Sequence, residues 1–415
     1  MKRELLDNGT VIISLKKLKD FTARIVIASR FGSIHEPEKK EGLAHLLEHT
    51  ILSANTKIYN FNEIAEKMDF LGAHQNGRTD YDSVRIFGYT PLINFEKFSD
   101  ILTELSLEPQ FNLRAFENEK KIILTELKGY LDNPSKYLKY NFLQALYKKH
   151  PIRTSIQDEI KAIKNIKLKD IFNAHKIYFA PHNLILGIFG NFKKRTYNKL
   201  KNNLECFNTG KLSNIKIPKE DMKPFRKKTV EKRRDIKQVY IQIGVKTATV
   251  DSEDIHALRI ISTLLTSGDS SRLFKELRLK RGLVYSVHSY NLVGKEIGFF
   301  YIKTITEKQK GKETLKIIRR ELKKLKMKKI SERELKKAKN IIASLRKSQY
   351  DDPVEGALRF VKDEIVLGNV NKERENMKKL NKVSTKEVQN VAKKYFEKDN
   401  FATAIIRPSQ RVIND

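Results

Sequence analysis

The stretch that decides the reading is His45-Leu46-Leu47-Glu48-His49. Residues four apart on a helix sit one turn apart on the same face, so His45 and His49 present two imidazoles together, with Glu48 beside them. Neutral imidazoles supply two of the three protein ligands that a catalytic zinc usually takes. A neighbouring carboxylate that is not a ligand can then take a proton from water. The order His-x-x-Glu-His inverts the commoner zinc-protease signature. Three fixed positions in five also arise by chance, so the pattern needs support from its surroundings. On a helical wheel Leu43, Leu46, Leu47 and Ile51 gather on one side, and His45, Glu48 and His49 on the other. The histidines therefore do not belong to the leucine face. Gly42 and the polar run Glu36 to Glu41, broken by Pro37, read as the loop that enters this helix.

A third ligand has to come from elsewhere in the chain. The periodicity predicts a helix over Phe116 to Tyr130, with Glu119 and Glu126 on the side of Phe116, Ile122, Ile123 and Leu127, and Lys121 and Lys128 opposite. Carboxylates on an apolar face are costly unless each meets a cation or a metal. Buried ion pairs to lysine or arginine would meet that need. So would a zinc held by His45, His49 and one of the two glutamates.

With Glu126 in Ile123-Leu124-Thr125-Glu126-Leu127, the motif closely resembles the pitrilysin-like metallopeptidases, or inverzincins, especially short-chain members similar to mitochondrial processing peptidase. The resemblance implies one zinc per chain on His45, His49 and Glu126, Glu48 as general base and Glu119 as a supporting carboxylate. Phe31-Gly32-Ser33 and Glu41-Gly42-Leu43-Ala44 resemble the family's flanks, and Gly72 to Thr79 resembles the edge strand that pairs with an extended substrate, with Asn76 as a substrate contact. Gly77, where the family commonly has alanine, and Thr50-Ile51-Leu52, where it commonly has methionine and phenylalanine, depart from the pattern.

The chain has 415 residues, 40% of them hydrophobic, enough for two or three domains with sizeable cores. No apolar run approaches the ~20 residues of a membrane helix, and no leader pattern opens the sequence. One cysteine, Cys206, leaves no intrachain disulfide and fits a reducing, cytoplasmic setting. Lysine and arginine number 83 against 50 aspartates and glutamates, a net +33. Such a balance favours acidic partners. The lysines are spread along helices, however, as over Glu321 to Leu345, which reads as a solvated face, and tryptophan is absent. Nucleic acid is therefore not the expected partner.

Strands are expected at Thr10 to Leu15, Phe21 to Phe31, Ser83 to Tyr89 and Leu184 to Phe189, and helices at Asn62 to Leu71 and Asn94 to Ser106. In the strand Phe21 to Phe31, Phe21, Ala23, Ile25 and Ile27 are expected on one face and Thr22, Arg24, Val26 and Ala28 on the other. Helix and strand mix without a βαβ repeat, which predicts an α+β fold. A linker is expected over 208–224, between a zinc-binding domain of residues 1–207 and a second α+β domain of residues 225–415. The second half reads as a faded copy: strand Gln238 to Val245, then helix Asp254 to Leu265, where His256 has no partner histidine. The remaining lone histidines, His35, His74, His150, His175, His182 and His288, are assigned no metal.

Ser270 to Tyr285 predicts a capped helix ended by Gly282, then a strand. Arg278 and Gly282-Leu283-Val284-Tyr285 are similar to the family's second signature, which implies that Arg278 binds a substrate carbonyl or tail and that Tyr285 serves the oxyanion. The resemblance further implies two similar domains, each a mainly antiparallel sheet flanked by helices. It also implies a dimer, a homodimer in the simplest case and a heterodimer otherwise, enclosing peptides or unfolded segments for zinc-dependent endoproteolysis. Two other classes remain open: a noncatalytic peptide-binding subunit of a heterodimeric peptidase, and a basic nucleic-acid-binding protein with a vestigial metal site.

Overall fold

The computed structural model describes residues 1–207 and 217–409. It contains two compact units. The first takes its described residues from Met1–Lys128, Gln157–Ile217 and Ser348–Val370, and the second from Gly129–Ile156, Pro218–Lys347 and Asn371 onward. Each unit is α+β, as the sequence predicts, but neither is contiguous. The boundaries 1–207 and 225–415 are crossed by two segments, because the apolar faces of 129–156 and 348–370 pack on the sheet encoded by the other half. Of the expected linker, 208–216 lies outside the described residues, Ile217 belongs to the first unit, and Pro218 to Pro224 belongs to the second, tied in through Glu220.

The first sheet has six strands: β1 Lys2–Leu5, β2 Val11–Lys16, β3 Thr22–Ser29, β4 His74–Thr79, β5 Val84–Pro91 and β6 Leu184–Gly190. Their spatial order is β1-β2-β6-β3-β5-β4. Only the β2–β6 pair is parallel. β3 lies inside the sheet with both faces covered, so Arg24, Val26 and Ala28 are as buried as Ala23, Ile25 and Ile27, while Phe21 falls outside the strand and is exposed. The expected alternation therefore runs between two covered faces, with Val26 and Ala28 sharing one core, as a central strand between two layers requires. One layer is the helix Pro353–Leu367, whose Leu358, Val361 and Ile365 fill a core with Val11, Ile13, Val26, Ile185 and Phe189. Its Glu364, fully buried, accepts from Arg3 Nη2 at 2.9 Å and from the Val370 backbone at 2.9 Å, which meets the cost of burying the carboxylate.

The second sheet has β7 Lys228–Arg233, β8 Gln238–Lys246, β9 Val284–Val293, β10 Gly298–Glu307 and β11 Ala402–Pro408, in the order β7-β11-β8-β10-β9. Here too one pair is parallel, and it joins the first and last strands of the sheet, β7 and β11. With β1 set aside, the two sheets share the same order of strands, and in both a helix follows the second strand: Leu43–Leu52 in one, Asp254–Thr266 in the other. The faded copy read in the sequence is therefore a repeat of topology. On the second sheet lies the helix Pro134–Leu146, with Phe142 meeting the rings of Phe299 and Tyr301. The expected continuous helix Glu321 to Leu345 is two helices, Gly311–Met327 and Glu332–Asp351, separated at Lys328–Ser331.

Candidate metal centre

The helix Leu43–Leu52 packs on β4 and β5 through Leu43, Ala44, Leu46, Leu47 and Ile51. Its entry is specific. Gly42 has φ +88°, where a side chain would be strained and a Cβ would press on Ile163. The Glu36 carboxylate accepts from the backbone N–H groups of Gly42 and Ala44, both at 2.8 Å, capping the helix from six residues upstream. Burial pushes the Glu36 carboxyl well up, against the pull of those two N–H groups.

This packing leaves His45 and His49 half-buried on the other side, their rings edge to face with centroids 4.8 Å apart. Glu119 and Glu126 project toward them from the helix Leu113–Asp132. One donor atom each from His45, His49 and Glu126 lies within 4.8 Å of the others. His45 Nε2 and Glu126 Oε2 are 3.7 Å apart. Burial, followed by the charge of His49, lowers the His45 pKa to about 4, against the pull of Glu126, so His45 is a neutral imidazole with its lone pair available. His49 Nδ1 is 2.9 Å from Glu119 Oε2, which leaves Nε2 as its free nitrogen. Burial disfavours charge on His49, but the Glu119 hydrogen bond and the carboxylates of Glu48, Glu119 and Glu126 outweigh it and raise its pKa. Two imidazoles and a carboxylate, converging with one imidazole already oriented by a second carboxylate, are a donor set that fits a zinc ion.

Glu48 is buried, and its carboxyl is raised by that burial, against the hydrogen bond from Thr79 and the charge of His49. Thr79 Oγ1 donates to Glu48 Oε2 in a short contact. The backbone of Gly77 lies against the same carboxylate so closely that a Cβ there would overlap Glu48, which gives the departure from alanine a local reason. β4 is the sheet's edge, as the sequence predicts, and Asn76 is exposed along it, its Oδ1 accepting from Gly77 N–H at 2.8 Å. An unpaired edge is a template for an extended peptide. Behind it, Arg85 and Lys362 both bind Asp80, and Arg78 forks onto Glu355 at 2.8 and 3.1 Å, fixing the turn that follows Thr79.

Arg278 and Tyr285 belong to the second unit and meet there, the guanidinium 4.7 Å from the Tyr285 ring and 5.0 Å from that of Phe274. Tyr285 is 81% exposed, unusual for an aromatic residue without a partner surface. Arg278 lies in a π-helical turn, Phe274–Leu279, where the sequence predicts ordinary helix. Sequence reasoning assigned no role to Thr79 or Glu36. Thr79 ends the segment that resembles an edge strand, but its bond to Glu48 spans 31 residues and leaves no periodic trace. Glu36 lies in the polar run before Gly42, and a carboxylate ahead of a helix entry is the local sign of such a cap.

Imidazoles one helical turn apart, facing glutamates from a second helix, on a fold that repeats itself once, mark a two-domain metallopeptidase chain. The chain belongs to peptidase family M16. Residues 11–159 match the family domain described as Insulinase (Peptidase family M16), and residues 165–342 match the domain described as Peptidase M16 inactive domain. It is similar to the uncharacterized zinc protease YmxG of Bacillus subtilis, with 23% identity over 99% of this chain and 98% of that one. It is also similar to the zinc protease PqqE of Helicobacter pylori, with 26% identity over 69% and 66% of the two chains. A crystal structure of a protease from Helicobacter pylori shares the fold, with TM-score 0.85 and 24% identity over 98% of this chain and 99% of that one. A structure from Pseudomonas fluorescens, titled as a peptidase M16 inactive domain, shares it at TM-score 0.88 and 17% identity, over 99% and 98% of the two chains. Among the described residues no helix is long and apolar enough to cross a membrane.

Proposed function

We propose that this chain is a zinc-dependent endopeptidase that cleaves peptides and unfolded segments, one zinc per chain, working as a homodimer that encloses its substrate. The observation that carries this reading is the convergence of His45, His49 and Glu126 within 4.8 Å beside the buried Glu48. In it, His45, His49 and Glu126 hold the metal. The chemistry that zinc supplies in such a place is polarisation of the scissile carbonyl and a water pKa lowered to about 7. Glu48 takes the proton of the attacking water and later delivers it to the leaving nitrogen. Thr79 holds one oxygen of Glu48, and Glu119 holds Nδ1 of His49. β4 receives the peptide as an added strand with Asn76 on its edge. Arg278, for a substrate carbonyl or tail, and Tyr285, for the oxyanion, are assigned on the strength of their sequence motif.

The test is cleavage of a quenched, unstructured peptide by the zinc-loaded wild type and by Glu48→Gln, matched for folding and zinc content. Activity in the wild type alone supports the reading. Silence in both points to the noncatalytic subunit, and equal rates remove Glu48 from the role of base. Sedimentation of the active protein tests the dimer.

A further inference from the structure

The lysine-rich stretch that reads as a solvated face is folded around a concavity in the second unit. The helices Gly311–Met327 and Glu332–Asp351, the break between them and the segment around Phe274–Leu279 line a groove of about 950 Å³. Eight lysines and arginines face it, against three glutamates. The glutamates are already taken: Glu334 holds Arg272 at 2.8 and 2.9 Å, Glu276 holds Lys280 and Arg320 at 2.7 Å, and Glu321 holds Lys324 at 2.7 Å. Lys275, Lys328, Lys329 and Arg333 have no carboxylate partner among the described residues. Lys337 bonds only the neutral oxygens of Ser270, at 3.0 and 3.1 Å. Burial, and after it the charge of Lys275, holds Lys337 below the usual lysine range, with Arg272 and Arg333 adding to the effect and Glu334 opposing it. Like charges gathered in a concave wall, with their local carboxylates spent, form a field that a bound anion would relieve.

The geometry points to a binding site for a compact, multiply charged phosphate, of the oligophosphate class, in this groove. Its volume is that of a small-molecule site and not of an extended peptide track. Its walls contain only serine, lysine, arginine and glutamate, so there is no ring on which a nucleobase could stack and no apolar pocket for a peptide side chain. What such walls recognise is charge density, and lysine serves phosphate as a point charge. The site lies wholly in the second unit and uses none of the residues assigned to metal or substrate.

Calorimetric titration of the zinc-loaded full chain with sodium tripolyphosphate tests this. One saturable site per chain is expected, weakening as salt rises. The double substitution Lys275→Gln with Arg333→Gln removes two side chains that hold no carboxylate, so the fold should bear it, and it should weaken binding by about tenfold. Lys16→Gln with Lys19→Gln, in the first unit, should leave the affinity unchanged. ATP should bind no tighter than tripolyphosphate. Vesicles carrying phosphorylated inositol lipids distinguish the source: capture that tripolyphosphate competes away places the same phosphate chemistry on a headgroup. Absence of saturable binding, or the same affinity in the Lys275→Gln/Arg333→Gln protein as in the wild type, overturns the site.

Discussion

Glu119 offers the sharpest test of the proposed metal centre, because its carboxylate touches one of the proposed ligands, His49. In the structure Glu119 Oε2 lies 2.9 Å from His49 Nδ1, a charge-assisted hydrogen bond that favours the Nδ1–H tautomer and leaves Nε2 free for a metal. Hydrogen bonds to charged groups are worth ~1.5–3 kcal/mol. Partners of this kind typically cost 10–100-fold in metal affinity when removed, roughly 1.4–2.8 kcal/mol at 1.4 kcal/mol per decade. The two estimates agree, so Glu119→Ala should weaken zinc binding by about 10–100-fold. Glu119→Gln keeps an acceptor for Nδ1–H and loses the charge, so it should fall near the low end. Competition with a chromophoric zinc chelator reads the affinity directly. It is best run near pH 8, since Glu119 also raises the His49 pKa and a proton there would compete with the metal. Glu117→Ala, a half-exposed neighbour on the same helix, is the control. If Glu119→Ala binds zinc as tightly as the control, the hydrogen bond does not orient His49 toward a metal and the proposed donor set is wrong.

Glu48→Gln should retain zinc while kcat falls by about 10²–10⁴-fold, the usual share of a general base, as steady-state kinetics on a quenched peptide will show. Gly42→Ala puts a side chain at φ +88° against Ile163, so chemical denaturation should register a loss of ~1–3 kcal/mol, and a neutral result would mean that the helix entry is not constrained. In the second unit Glu220 accepts from Lys246 Nζ at 2.6 Å and from the N–H groups of Lys148 and His150, at 2.9 and 2.7 Å. Despite burial, these partners lower its pKa from 4.5 to about 2. A depressed carboxyl stabilises the fold fully above 4.5, and that contribution fades as the pH falls through about 2. Undiminished, the shift would be worth ~3 kcal/mol; solvent screening reduces that to ~1–2 kcal/mol. Glu220→Gln should therefore destabilise by that amount at pH 7 and by clearly less at pH 3, and a gap that stays constant with pH would refute the assignment.

What the sequence made legible was whatever repeats at short range. The spacing of His45, Glu48 and His49 predicted one helix face, and the seven-residue interval of Glu119 and Glu126 predicted another; the structure brings the two faces together. The strands of both halves were readable from their alternation, and their common order emerged only in three dimensions. Long-range choices were not legible. Nothing local says that Leu358 and Val361 cover a sheet made of residues from the first half, or that Pro134–Leu146 serves the second. The alternation of β3 placed Arg24 on one face of the strand without saying that this face is covered; it is buried and bridged to Asp20 at 2.7 Å. The lysines between Glu321 and Leu345 read as solvated because the break at Lys328–Ser331, which lets them curve around a groove, has neither glycine nor proline to announce it.

The exchange of segments between the two halves sets a timetable for synthesis. The sheet that carries Thr79 and Asn76 lacks one of its covering layers until Pro353–Leu367 has been made, and the turn beyond Thr79 is braced by Glu355 and Lys362 from that same helix. A ribosome adding ~5–20 residues per second would hold the nascent first unit incomplete until Ser348–Val370 has emerged. A chain released early, or cut within the exchanged segments, would leave a sheet with one face bare. The brace on the turn beyond Thr79 therefore forms only after Lys362 has been made, well over two hundred residues after the strand it steadies.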